Sequence, residues 1–580
     1  MSDFISLFKE DLYKLTEDLK KKGIIKEFNK EKISVDHSSK SKKGHLSTNI
    51  FIILLKKNLK KNFKLKNYIL NYFNNLKYIE NIEIAKIGFI NIFIKKNYIS
   101  LKLKELFNET NKENQKFIKN KKINIEFVSA NPTGPLHLAH IRGAVLGDVL
   151  SSILKTVGYD VTREYYVNDA GSQIDILANS LYKRYQQQFK IDIKLTKNDY
   201  PGNYLIEIAK KIKKSDGDKW ISYPDNIKKK NYFKNYAVTN LIDKIKKDLK
   251  LINISFDQFT FESQIVTDKY IDKVFNLLNK NDLIYKGILN KPLGDEGKDW
   301  EPRKQLLFRS TNFDDDSDRP FKKSNGEWTY FANDSAYHYQ KYTRGYDKLI
   351  NIWGADHIGY IQRMKSIVDV VSNKKNYLEI YICQIVRLIK NGELLKMSKR
   401  EGNFITLKDI YKEVGKDALR YSMISTKSET PMDFDMNKVI EKNKDNPVFY
   451  CQYAYARASS VIRKSNEIIK IPKIEDSLNL FDISYVTEYE WKIILKILSW
   501  PYVLNQTAKN KQPHRITNYL EDLSSKFHSF WNKGKDNTSL RMIDENNIHK
   551  TITTLIWIQA FRKTFYDAFK IIGIEAPEVM

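Results

Sequence analysis

Residues 123–167 constrain this chain more than any other stretch. INIEFV has the length and apolar content of a buried strand, and SANPTGP is a turn-forming loop. LHLAHIRGAVLGDVLSSILKTVG carries a long helical period, and a second strand is expected over 161–167. Strand, loop, helix and parallel strand make a βαβ unit. Such a unit opens a doubly wound sheet that binds nucleotides at the carboxyl ends of its strands.

The chain has 580 residues, too many for one core, so several domains are expected. Residues 1–107 read as a small α/β domain: an amphipathic opening helix, a polar stretch, a second helix over 50–62 and the β-rich IEIAKIGFINIFI. A charged linker, about 108–122, leads into the βαβ unit, and the doubly wound domain is expected over 108–400. A Lys/Tyr/Asn-rich, mostly helical insertion, about 175–285, is expected to interrupt the sheet, which resumes at LLFRS, EWTYFA and LINIWGAD. A connecting segment, 401–438, leads to a helical bundle over 439–580. Its amphipathic periods recur in VFYCQYAYARASSVIR, EYEWKIILKILSWPYVLNQT, YLEDLSSKFHSFWNK and TITTLIWIQAFRKTFYDAFKIIG. The expected fold class is therefore multidomain α/β plus all-α: a Rossmann-type doubly wound parallel sheet, a small N-terminal α/β domain and a C-terminal helical bundle.

The net charge of +29 favours polyanionic partners such as nucleic acid. Lysine far outnumbers arginine, and asparagine and isoleucine are abundant, a bias that an AT-rich genome imposes on any surface. Charge alone therefore does not establish the partner. The two cysteines, Cys383 and Cys451, lie far apart, so neither a disulfide framework nor a structural metal is expected. No apolar run approaches the roughly 18 residues of a membrane span. The N-terminus mixes acids and bases and lacks the uncharged core of a signal peptide. A soluble, cytoplasmic monomer is expected.

Two short elements could carry chemistry. In NPTGPLHLAH, His137 and His140 share one face at the start of a helix, where free N–H groups and a partial positive charge suit a phosphate. Pro132, Gly134 and Pro135 shape a tight approach from the strand. Two imidazoles there could stabilise charge building on the α-phosphate and pyrophosphate of ATP; a structural or metal-binding histidine pair is the alternative. The second element is Lys396-Met397-Ser398-Lys399-Arg400, after the β-like YICQIVRLI. Its lysines could close over a triphosphate, or the stretch could be only a solvated charged loop.

Together the two elements resemble the HIGH and KMSKS signatures of class I aminoacyl-tRNA synthetases. EFVSANPTGPLHLAHIRGAVLGDVL, EYYVNDAGSQI, IWGADHIGY, GKDALRYSMIS, NPVFYCQYAYAR and IIGIEAPEVM narrow the resemblance to bacterial-type arginyl-tRNA synthetases. GHLSTNIFIILLKKN resembles the extra N-terminal domain of that family, so the likeness runs from end to end. It implies ATP as a substrate with Mg²⁺ on its phosphates, L-arginine and tRNA(Arg) as partners, and an arginyl-adenylate intermediate. It also implies that arginine activation depends on bound tRNA.

By the same resemblance, His137, His140, Lys396 and Lys399 are the catalytic residues. Gly134, His137, His140, Gly354, Asp356, His357, Met397 and Lys399 bind ATP, and Glu126, Asn131, Tyr330 and Asp334 bind arginine. Asp334 suits the planar guanidinium, whose fork of donors a carboxylate accepts bidentately. Glu126 or Asn131 would hold the α-amino end, and Tyr330 would wall the pocket. Each also has a plain reading: Asp334 as a helix N-cap, Glu126 as a strand face, Tyr330 as core, Gly354 as a strand-end turn. Tyr450, Tyr453, Tyr455 and Arg457 could contact unpaired tRNA bases, although a tyrosine stripe at helical spacing is as readily core. Ala139 replaces the family's HIGH glycine and Val579 a terminal arginine, whereas Lys399 keeps the second lysine of the loop. Three rivals remain: a tRNA-binding chain without catalysis, another class I synthetase such as a cysteinyl enzyme, and a small nucleotidyltransferase.

Overall fold

The computed structural model describes the chain apart from residues 1–3, 26–28, 30–31, 38–43, 58–61, 86–87, 108–120, 268, 290–301, 396–404 and 469–477. It divides into two compact units, Ile118–Glu441 and a second formed by Met1–Phe117 with Lys442–Met580.

The N-terminal segment runs α1 (Phe4–Lys21), β1 (Val35–His37), β2 (Leu46–Thr48), α2 (Ile50–Lys57), α3 (Asn62–Asn74), β3 (Ile79–Ile84), β4 (Ile90–Ile94) and α4 (Lys96–Glu105). Its strands form one antiparallel sheet in the order β1-β2-β4-β3. Phe8, Leu12, Leu15 and Leu19 of α1 recur at helical spacing and are all buried, which fixes the face that α1 turns inward.

Unit Ile118–Glu441 begins with β5 (Lys122–Glu126), α5 (Leu138–Thr156) and β6 (Asp160–Val167). Four helices follow: α6 (Ser172–Gln187), α7 (Tyr204–Asp216), α8 (Lys219–Ser222) and α9 (Ile227–Leu251). They pack around their own core of Leu181, Tyr185, Ile212, Trp220, Phe233 and Leu241. The chain returns through β7 (Gln258–Phe261), α10 (Glu262–Thr267), α11 (Tyr270–Lys280), β8 (Ile284–Gly287), β9 (Gln305–Phe308) and β10 (Arg319–Lys322). It continues as α12 (Tyr330–Thr343), β11 (Lys348–Gly354), α13 (Ile361–Ser372), β12 (Leu378–Cys383), β13 (Val386–Lys390), β14 (Glu393–Leu394), α14 (Leu407–Met423) and β15 (Met432–Asp435). Five strands form one parallel sheet in the order β12-β11-β5-β6-β7. The order reverses beside β5, which makes the sheet doubly wound. Residues Ile123 to Glu126 of β5 are buried in succession, as expected of a strand covered on both faces. Helix α5 lies so close that a Cβ on Gly147 would fall 2.2 Å from the Phe127 ring; only glycine fits there.

Three expectations for this unit change. The span 175–285 is not wholly an insertion, because β7 within it is a strand of the parallel sheet, its Thr260 hydroxyl bonded to Glu164 of β6 at 2.6 Å. LLFRS is β9, but it pairs antiparallel with β8 and β10 in a separate three-stranded sheet. EWTYFA turns into a helix: the Thr329 hydroxyl accepts the Ala332 N–H and caps α12, and this local bond outweighs the strand propensity of the aromatic residues. LINIWGAD alone of the three segments rejoins the parallel sheet, as β11.

The remaining segment is helical: α15 (Pro447–Ile468), α16 (Glu488–Leu498), α17 (Trp500–Asn510), α18 (His514–Asp536) and α19 (Ile548–Ile572). No helix among the described residues is long and apolar enough to cross a membrane.

One buried carboxylate ties the parallel sheet together. Glu164 of β6 is fully buried and accepts hydrogen bonds from Asn124 Nδ2 (2.5 Å), Thr260 Oγ1 (2.6 Å), Tyr337 Oη (2.9 Å) and Arg344 Nη2 (2.6 Å). Glu164→Ala would leave these donors and the Arg344 charge unpaired, so it is expected to lower the unfolding free energy by about 3 kcal/mol. A urea titration of the full chain reads that loss.

Candidate active site

Strand order reverses between β5 and β11, and Glu126 lies opposite Asn351 there. A cleft of about 640 Å³ opens at this level, where open α/β sheets hold their ligands. It brings together Glu126, Asn131, His137, Ala139, His140, Asp334, Gly354, Asp356 and His357. Residues far apart in sequence thus meet because the ends of β5 and β11, the start of α5 and one face of α12 converge.

The loop leaving β5 is held in a strained form. Val128 has φ 68° and Ser129 φ 37°, a region that a β-branched residue occupies only when its surroundings force it. The forcing contacts are explicit. The Ser129 N–H donates to the Phe127 carbonyl (3.0 Å) and the Tyr165 hydroxyl to the Ala130 carbonyl (2.7 Å). Ser129 Oγ donates to Glu126 Oε1 and accepts the Tyr166 N–H, both at 3.0 Å. These bonds aim Asn131 into the cleft, where its Nδ2 donates to Gln173 Oε1 at 3.0 Å.

His137 is the N-cap of α5, and its backbone N–H donates to His140 Nδ1 at 3.2 Å. The ring centroids are 4.0 Å apart. Because Nδ1 of His140 accepts, the proton of the neutral ring sits on Nε2. A helix N-terminus with two imidazoles is a site for developing negative charge. Thr406 pairs with His137 in an antiparallel bridge, and the Leu407 N–H donates to the Leu136 carbonyl at 2.9 Å. The residues that follow 396–404 are therefore tied to the start of α5. Lys396, Met397 and Lys399 themselves lie outside the described residues.

Across the cleft, Asp334 sits inside α12 and Thr329 is the helix cap, so the capping alternative for Asp334 falls away. The Tyr360 hydroxyl donates to Asp334 Oδ2 at 2.9 Å. Burial pushes the Asp334 carboxyl up to about 7; the charges of Glu126 and Glu262 add to the rise, and the Tyr360 bond and Lys341 oppose it. Glu126 Oε2 accepts from the Lys341 ammonium at 2.5 Å. His338 donates from Nδ1 to the Asp334 carbonyl (2.8 Å) and accepts the Asn351 amide at Nε2 (2.9 Å). Burial and the Lys341 charge hold its basicity down to about 3, so the ring is neutral.

The sign of the Asp334 shift sets a pH dependence. Below about pH 7 the free protein carries a neutral Asp334, while a guanidinium binds the carboxylate. Affinity for a guanidinium ligand is therefore expected to fall as pH drops through 7, approaching about tenfold per pH unit. Calorimetric binding of arginine between about pH 5.5 and 8.5 reads it.

Gly134, Tyr330 and the residues of α15 lie outside this cleft. Gly134 lines a neighbouring cavity of about 660 Å³ with Tyr200 and Tyr204, and Tyr330, 68% exposed, lines a smaller recess of about 210 Å³ with Asn131 and Gln173. Tyr330 is thus not core. His357 Nε2 lies 3.4 Å from Asp356 Oδ2, both side chains largely exposed at the end of β11. On α15, Tyr455 is buried, whereas Arg457 lies over the Tyr453 ring at 4.1 Å and its Nη1 is 3.0 Å from His528 Nδ1. The Tyr450 and His528 ring centroids are 4.5 Å apart. Sequence reasoning passed over Tyr360 and Lys341. Lys341 had a signal, since Asp334, His338 and Lys341 follow one helical face at i, i+4 and i+7.

A doubly wound sheet with an imidazole pair at the first strand–helix turn places unit Ile118–Glu441 among the class I aminoacyl-tRNA synthetases. The family model described as tRNA synthetases class I (R), catalytic domain, matches residues 102–443. The arginyl tRNA synthetase N terminal domain matches 5–94, and the DALR anticodon binding domain matches 451–580. The arginine–tRNA ligase of Orientia tsutsugamushi (strain Boryong) is 44% identical over 544 residues, covering 92% of this chain and 91% of its own. That of Bartonella bacilliformis is 41% identical over 554 residues, covering 95% and 94%. The solved Thermus thermophilus arginyl-tRNA synthetase superposes with a TM-score of 0.73, covering all of both chains, and at 18% identity shows the shared fold. The chain belongs to the arginyl-tRNA synthetase family.

Proposed function

We propose that this chain joins arginine to tRNA(Arg) at the expense of ATP, in two steps at the β5–β11 cleft. The observation that carries the reading is a partly buried carboxylate, Asp334, sharing one cleft with two imidazoles at a helix N-terminus. In the first step an arginine carboxylate oxygen attacks the α-phosphorus of ATP, and the bond to pyrophosphate breaks. In the second, a hydroxyl of the terminal adenosine of the tRNA attacks the adenylate carbonyl and AMP leaves. Neither step needs a nucleophile from the protein; positioning and electrostatics supply the acceleration.

Asp334, steadied by Tyr360, accepts the guanidinium bidentately, and Tyr330 borders the entrance. Asn131 holds the α-amino end, with Glu126 lining the same cleft. His137 and His140 stabilise the phosphate charge together with Lys396 and Lys399, while Gly134 and Met397 border the nucleotide. Gly354, Asp356 and His357 hold the adenosine, with the Asp356 carboxylate accepting from a ribose hydroxyl. Mg²⁺ carried on the triphosphate would supply further positive charge on the phosphates beside His137 and His140. Tyr450, Tyr453 and Arg457 form a partly exposed cation–aromatic cluster suited to stacking on unpaired anticodon bases, and the N-terminal domain contacts another part of the tRNA. The protein works as a cytoplasmic monomer.

The test is attachment of radiolabelled amino acid to bulk tRNA with ATP and Mg²⁺, running arginine beside lysine and cysteine. Attachment of arginine alone is expected. Tight tRNA binding with no attachment of any amino acid would leave a tRNA-binding protein without catalysis.

A further inference from the structure

The cleft wall carries more carboxylates than one guanidinium requires. Glu126 on β5 and Asp334 on α12 both line it, and the charges of Glu126 and of Glu262 on α10 both raise the Asp334 carboxyl. Like charges in a desolvated pocket oppose each other's ionisation, so an unbalanced cluster would take up protons in place of a cationic ligand.

An internal cation changes that balance. Lys341 is 0% exposed, which is rare for lysine unless it is paired. Its ammonium donates to Glu126 Oε2 at 2.5 Å, lies 3.4 Å from Asn351 Oδ1 and sits over the Tyr337 ring at 4.4 Å. Glu126, Asn351 and Tyr337 all line the cleft. The second oxygen of Glu126 is taken by Ser129. Both oxygens of Glu126 are thus engaged from within the protein, whereas Asp334 has a neutral donor, Tyr360. A Lys341 that merely filled core space would not need to end on a cleft carboxylate.

We infer that Lys341 is a positioning and specificity-determining residue of the arginine site: it is the built-in counter-ion of Glu126, and it leaves Asp334 as the carboxylate offered to the guanidinium. The inference rests on the reading of this cleft as the arginine site. The groups that bear on Asp334 are Tyr360, Glu126, Glu262 and Lys341, with Tyr166 opposite and the neutral His338 on the same helix. Of these, Lys341 alone is cationic, so its loss raises the pH at which Asp334 becomes a carboxylate.

The test is calorimetric arginine binding by the full chain across a pH series, with wild type, K341M and K341R. Wild-type affinity should rise with pH to a plateau. K341M, close to lysine in shape, should move the midpoint up by about one pH unit or more, lowering affinity at pH 7 by about a further tenfold and recovering at alkaline pH. K341R keeps the charge and should keep the wild-type midpoint. A K341M midpoint equal to wild type overturns the inference. Should K341M fail to fold, wild type alone decides: binding near pH 6, followed in buffers of different ionisation enthalpy, should release about one proton. Release of about two would place a second neutral carboxyl near Asp334: repeated with Glu262→Gln, a release that stays at about two assigns it to Glu126 and overturns the pairing, and one that falls to about one assigns it to Glu262 and upholds the pairing. Wild type that binds no arginine at any pH overturns the arginine reading of the cleft itself, an outcome distinct from an unmoved variant.

Discussion

Asp334→Ala is expected to lower kcat/KM for arginine by about 10²–10⁴-fold while ATP binding persists. Two charge-assisted hydrogen bonds from a guanidinium to one carboxylate contribute about 3–6 kcal/mol, and each 1.4 kcal/mol is about tenfold. Asp334 is set for this role by the Tyr360 hydroxyl at 2.9 Å and by its place inside α12. The same logic excludes lysine, whose compact ammonium cannot span both carboxylate oxygens. Steady-state attachment assays with Asp334→Ala and the isosteric Asp334→Asn measure the effect. Retention of wild-type kcat/KM within about tenfold in both variants would remove Asp334 from the guanidinium site.

His140→Asn is expected to reduce adenylate formation by about 10²–10³-fold in kcat with little change in KM for arginine. Removing a donor that acts on charge developed in the transition state has this signature. His140 Nδ1 is occupied by the His137 N–H, so the donor it offers is Nε2–H. Asparagine keeps an acceptor at the Nδ1 position for the cap and has nothing at the Nε2 position, which separates catalysis from the roughly 1 kcal/mol that a lost cap would remove from α5. Single-turnover release of pyrophosphate with saturating arginine and tRNA reads the step. An unchanged rate would make the histidine pair a capping device only.

Much of the site was legible because its chemistry sits in continuous words. The β5–loop–α5 unit combines a buried strand, a Pro/Gly turn and a helical period, all local signals, and it formed as expected. The C-terminal helices were legible for the same reason, their apolar positions recurring every three to four residues. EWTYFA misled because three aromatic residues favour a strand, yet a single threonine cap committed the segment to α12. β7 was hidden because four residues in a lysine-rich neighbourhood carry too little pattern to mark a strand.

By itself, then, the amino-acid sequence determined the βαβ opening, the imidazole pair at the start of α5 and the helical C-terminal segment. These depend on contacts within a few residues, which periodicity and capping chemistry report directly. Only the tertiary structure decided that Glu126 is engaged by Lys341, that Tyr360 steadies Asp334 and that β7 completes the sheet. It also decided that burial carries the Asp334 carboxyl up to about 7. Each of those depends on residues far apart in the chain meeting in a desolvated space, where the energy of a charge is set by what surrounds it rather than by its neighbours in sequence.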